Sequence, residues 1–115
     1  MLTQSQIKKI IQQQISKEHK LGTTGKEHLA YTTYIINKIT TQKTNTSQIQ
    51  ITYQYTISIE TEFTTEPDNP PYTYTYEKTI TLNQQGQIIK ETPKKLLKTN
   101  LNQNIANTML DIQNL

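Results

Sequence analysis

Across residues 49–63 the chain alternates with a period of two. Ile49, Ile51, Tyr53, Tyr55, Ile57, Ile59 and Phe63 take odd positions, and Gln50, Thr52, Gln54, Thr56, Ser58, Glu60 and Glu62 take even ones. Only extended backbone sends successive side chains to opposite faces, so this segment is a long strand with one buried face and one wet face. A strand of this kind needs a neighbour for its backbone groups and a cover for its apolar side. The neighbour follows a loop at 66–71 that holds three prolines. Tyr72, Tyr74, Tyr76, Ile80 and Leu82 alternate there with Thr73, Thr75, Glu77, Thr79 and Thr81. With Phe63 opposite Tyr72, Ile59 faces Tyr76, Ile57 faces Lys78, and both apolar faces coincide.

The cover comes from the start of the chain. Thr3 and Gln6 have the spacing of a capping box, and Leu2 and Ile7 that of a hydrophobic staple, so a helix begins at Gln4. Ile7, Ile10, Ile11 and Ile15 form its apolar stripe, Lys17 and Lys20 suit its C-terminal dipole, and Gly22 is placed to end it near Leu21. After a turn at 22–25, residues 29–40 read as a first strand. Leu29, Tyr31, Ile35 and Ile39 lie in one phase of it, and Tyr34 and Ile36 lie in the other, outer phase. Residues 83–86 read as a tight turn with Gly86 at positive φ, leading into a short strand through Ile89. Beyond Thr92 and Pro93, the spacing of Leu97, Leu101, Ile105, Met109 and Ile112 predicts a closing helix. Lys94 and Lys95 would oppose the dipole in its first turn, which leaves a later start after Asn100 open.

The expectation is therefore one α+β domain over residues 1–115, with an N-terminal helix on a four-stranded antiparallel meander and a C-terminal helix. This element order resembles the layout of cystatin-like and nuclear-transport-factor-like domains, in which a sheet wraps one long helix. The resemblance is one of order alone. The glycine-containing inhibitory loop of cystatins has no counterpart between Thr40 and Ser47, and no family follows from it.

Only 32% of the residues are hydrophobic, so the core must be thin, and net charge is only +3. The charge is unevenly spread: residues 1–43 carry seven Lys and two Glu, 44–77 carry five acids and no Lys, and 78–115 carry five Lys and two acids. The chain has no Arg, which removes the bidentate guanidinium contacts used to read guanine or clamp phosphate, and nucleic acid is not the expected partner. It has no Cys, so thiolate metal sites and thiol nucleophiles are excluded. With no apolar run long enough for a signal peptide or a membrane span, the expected location is cytoplasmic.

Several motifs bear on chemistry. Gly22-Thr23-Thr24-Gly25-Lys26 falls short of a phosphate loop, which needs four residues between its glycines and a Ser or Thr after the Lys. Lys17-Glu18-His19 recurs as Lys26-Glu27-His28, where four ligands could converge on a divalent metal, but solvated charged ends explain the pair as well and no metal or cofactor is expected. Glu60, Glu62 and Glu77 share the wet face and could form an acidic patch beside Glu66 and Asp68. No spacing among the four Ser and two His suggests a catalytic triad.

Tyrosine is the more informative residue. Tyr53, Tyr55, Tyr74 and Tyr76, with Lys78 breaking the inward phase, are candidate ligand-binding residues because buried rings must still find partners for their hydroxyls. Lys78 is expected to snorkel outward between the rings. Tyr34, Ile36, Phe63 and Tyr72 are candidate interface residues. A strand over 48–63 would reach about 53 Å and a helix over 4–21 only about 27 Å, which leaves apolar surface for a second subunit. The expected role is a non-enzymatic protein-interaction or ligand-binding module that self-associates. The competing expectation is a small enzyme with a Tyr-lined pocket between helix and sheet.

Overall fold

The helix forms as its cap dictates. In the structure, a computed structural model that describes residues 2–24, 30–45, 47–61 and 70–100, helix α1 spans Gln4–Glu18. The Gln6 amide donates to Thr3 Oγ1 at 3.1 Å, and the Thr3 amide donates back to Gln6 Oε1 at 2.8 Å. The far end differs from expectation. His19 is already extended, and its amide closes the last turn on the Ile15 carbonyl at 2.9 Å. Gly22, at φ 81°, does not cap the helix but opens strand β1 (Gly22–Thr24).

The sheet is antiparallel throughout. Strands β2 (Ala30–Asn45), β3 (Gln48–Thr61), β4 (Tyr72–Asn83), β5 (Ile88–Glu91) and β6 (Lys95–Thr99) follow β1, in spatial order β1-β2-β3-β4-β5, with β6 also paired to β4. The molecule is thus a small α+β domain with one helix among the described residues.

Ile7, Ile11 and Ile15 pack on Ile51, Tyr53, Tyr55 and Ile57 of β3 and on Ile80 and Leu82 of β4, with Leu2 and Ile10 at the margin. Each aliphatic side chain buried here contributes about 1.5–3 kcal/mol relative to exposure. At the β4–β5 turn, Asn83 Oδ1 accepts from the amides of Gln85 and Gln87, and Gly86 sits at φ 82° beneath Leu2.

Three expectations are corrected by the pairing. The β3–β4 register places Ile59 opposite Tyr72, Tyr55 opposite Tyr76 and Tyr53 opposite Lys78, four residues from the expected alignment. A shift by an even number keeps every side chain on its face, which is why periodicity alone did not distinguish the two. The shift also separates the acidic pair: Glu77 lies opposite Gln54, six residues and about 20 Å along β3 from Glu60.

The second correction concerns β2. Tyr34 pairs with Ile57 and Ile36 with Tyr55, so both lie on the inner face and pack half-buried against the core. Tyr31 and Ile35 lie outward instead, opposite Glu60 and Thr56. A register shift between Ile36 and Lys38 leaves Asn37 unpaired, and beyond it Ile39 faces inward opposite Tyr53. The inserted residue changes the phase of everything after it, so one alternation could not describe the whole strand. The strand also runs on past Thr40 through Thr41-Gln42-Lys43-Thr44, a stretch without an apolar residue to mark it.

The third correction falls after Pro93. Lys95–Thr99 forms β6 rather than the first turns of a closing helix, pairing Leu96 with Tyr76 and Thr99 with Tyr74. Lysines in a first helical turn are unfavourable, while the edge of β4 offers a complete ladder. β5 and β6 act as one edge strand interrupted at Thr92-Pro93-Lys94, where Thr92 bonds Thr79 through its amide (2.9 Å) and its hydroxyl (3.1 Å to the Thr79 amide). A helix starting after Asn100, and Phe63 with its neighbours in the hairpin loop, lie outside the described residues.

Candidate functional site

The inward lysine organises the first of two candidate sites. Lys78 stands on β4 among apolar residues, and its side chain is only 2% exposed. Burying an ammonium demands a charged partner. The last residue of α1 supplies it, because Glu18 continues the Ile7, Ile11, Ile15 stripe by three and reaches down onto Lys78 Nζ. Glu91 of β5 approaches the same nitrogen at 3.6 Å from the solvent side. The lysine therefore does not snorkel outward; the helix end descends to meet it.

Around this ion pair the rings close up. His19 Nε2 and Tyr55 Oη are 2.9 Å apart, and Tyr55 Oη also lies 3.5 Å from Glu18 Oε2. Tyr55 packs on Tyr53 and Tyr76 with centroids 5.7 and 5.6 Å apart, His19 lies 5.3 Å from Tyr76, and the Lys94 ammonium sits 5.5 Å over the Tyr76 ring. Burial holds the Tyr55 and Tyr53 phenols well above their ordinary pKa, with the Glu18 charge adding to it; Tyr76 is raised by burial and then Tyr74. Burial and then Lys94 lower His19, against Glu18. The Tyr53 hydroxyl is fully enclosed and has no hydrogen-bond partner among the described residues.

This cluster brings together Tyr53, Tyr55, Tyr76 and Lys78 from the expected ligand set, while Tyr74 lies further along β4 opposite Ile57. Glu18 and His19 were singled out only as possible metal ligands, and Glu91 and Lys94 were not anticipated. The signal for Glu18 was present, since an inward Lys requires an acid on whatever covers it. None of these residues lines a described cleft. Protonated phenols, a neutral imidazole and a paired lysine, lining none of the described clefts, tie the helix end to the sheet.

The second site lies where cover runs out. Along the other side of α1, a half-open cleft of about 550 Å³ separates the helix from β2, floored by Leu2, Ile7, Ile39 and Ile49 and flanked by Lys8 and Lys43. A further opening of about 500 Å³ continues it past Tyr34, Ile36 and Lys38. Among the described residues no carboxylate lines either. Every residue at 37–45 is exposed. Of the expected interface residues, Tyr34 and Ile36 thus border this groove, while Tyr72 is 39% exposed near the hairpin loop. On the outer face Ile35 is 65% and Tyr31 50% exposed.

Among the described residues no group of three or more His, Asp or Glu is placed to hold a metal ion, and no helix is long and apolar enough to cross a membrane. The second Glu-His pair, Glu27 and His28, lies outside the described residues. Compared with protein-family models, curated proteins and solved structures, the chain matches none, so its functional reading rests on its own residues.

Proposed function

We propose that this domain is a non-enzymatic protein-interaction module that self-associates through the outer face of β2. The observation that carries the reading is the exposure of Ile35 and Tyr31, four residues apart on one face where their neighbours are Thr33, Lys38, Thr56, Ser58 and Glu60. Large apolar side chains on one strand of a polar sheet face are stabilised by contact with a partner, and a two-fold axis would bury both against their own copies. Tyr72, exposed near the hairpin loop, offers a smaller apolar contribution on the opposite face. The enzyme reading has less support, because the candidate tyrosines are packed against one another and open onto no described cleft. Sedimentation equilibrium at micromolar concentration tests the proposal. A dimer that dissociates in Ile35→Asp is expected, and a monomer mass for the wild-type chain would overturn self-association.

A further inference from the structure

We infer that the free side of β2 is an acceptor for an extended acidic segment of another protein, added as an extra strand beside the groove under α1. This goes beyond the self-association proposed above and uses the inner face and edge of β2, not its outer face.

Three independent features converge there. The first is backbone. The ladder to β1 ends at Gly22 opposite Thr32, so among the described residues β2 has no strand neighbour on that side over 33–45, about 40 Å of chain. Residues 37–45 are all exposed, which leaves their edge groups open to pairing. The second is a receptacle. Strand addition gains affinity from main-chain hydrogen bonds and specificity from pockets for alternate side chains. The groove supplies one, with Leu2, Ile7, Ile39 and Ile49 as an apolar floor next to the edge.

The third feature selects the occupant. Lys8 and Lys43 flank the cleft, Lys38 its continuation, and Lys9 and Lys17 a more open stretch beside Tyr34. Among the described residues no acid lines any of these clefts, and β2 itself carries two lysines and no carboxylate. Lysines along an open edge repel a basic strand, including a second copy of β2, and favour an acidic one. The segment that fits is extended, with apolar residues directed to the groove floor and Glu or Asp alternating towards the lysines. Such pairing is steered by charge and weakens with salt.

The probe is a fluorescein-labelled nine-residue peptide alternating Glu with Ile and Thr, compared with the same peptide carrying Lys in place of Glu, both titrated with the full chain. Anisotropy should show the Glu peptide binding at least about tenfold more tightly, with the preference shrinking as salt rises. Hydrogen exchange should slow at residues 33–45 when the Glu peptide is bound. Reversing Lys8→Glu and Lys43→Glu together should invert the preference while circular dichroism stays unchanged. Equal binding of the two peptides, or protection confined to another strand, would overturn the inference. So would protection, in the dimeric chain alone, of the amides of 33–45 that point away from β3, since a second copy would then hold the edge. A monomer that binds the Glu peptide sinks self-association and leaves the acceptor standing, and a dimer that ignores the peptide does the reverse.

Discussion

The inner face of the sheet has two halves that differ in what lies over them. Under α1, β3 and β4 present Ile51, Tyr53, Tyr55, Ile80 and Leu82 at 0% exposure, and even a lysine is sealed there. Across the bulge at Asn37, β2 continues the same sheet with Ile39, Thr41 and Lys43 opposite Tyr53, Ile51 and Ile49, and all three are exposed. The two strands are hydrogen-bonded neighbours with matched register, so pairing is not the difference. Cover is. Fifteen residues of helix span about 22 Å, and their single apolar stripe is used up on β3 and β4. The lesson is that a β-strand can be held rigidly by its ladder while its face stays available, which is the condition a binding edge needs.

Substitutions on the two halves put this contrast at risk, beginning with the largest effect. Ile57→Asp should abolish cooperative unfolding, because the carboxylate would enter the sealed half without a partner, whereas Ile39→Asp should move stability by about 0.5 kcal/mol or less. Urea denaturation followed by circular dichroism reads both, and comparable damage from the two would mean that β2 is covered as well.

Next in size is the ion pair. Glu18→Ala should cost about 3 kcal/mol by leaving Lys78 buried with only the half-exposed Glu91 nearby, and adding Lys78→Met should restore much of that loss. A double variant no more stable than Glu18→Ala would show that the lysine has another source of compensation.

Single hydroxyls discriminate more finely within the sealed half. Tyr53→Phe should stabilise the domain by about 1 kcal/mol, since its hydroxyl is enclosed without a partner among the described residues, and Tyr55→Phe should destabilise it by about as much through loss of the bonds to His19 and Glu18. The same sign for both in thermal melts would contradict the hydrogen-bond pattern.

The smallest effect is that of pH. His19 has its pKa lowered below the ordinary value of 6.5, chiefly by burial, so the fold prefers the neutral ring and protonation favours the unfolded chain. Its stabilising contribution is therefore full above that value and declines as pH falls below it. Between about pH 8 and about pH 5.5 the wild type should lose more stability than His19→Gln; equal losses would place the imidazole in water.

Much of this architecture is legible in the residues alone. The capping box at Thr3 and Gln6, the Ile stripe, the inward phase of β3 and β4 and the positive φ of Gly86 all depend on neighbours within a few positions. Local sterics and hydrogen bonding are sufficient to determine such features. Register, bulge and cover are decided elsewhere. A slip of four residues leaves every face unchanged, so only the packing of Tyr55 on Tyr76 and of Lys78 beneath Glu18 selects the alignment that forms. The extra residue at Asn37 has no local signature, and it turns Ile39 inward and leaves Ile35 outside. Lys95–Thr99 carries a helical spacing and becomes a strand because the edge of β4 is there to receive it. Sequence by itself determined helix α1, the extended state of the segments that become β3 and β4, and the face that those two strands bury. Only the tertiary structure decided which half of the sheet is covered, because cover depends on the length of one helix and on contacts between residues sixty positions apart, such as Glu18 and Lys78.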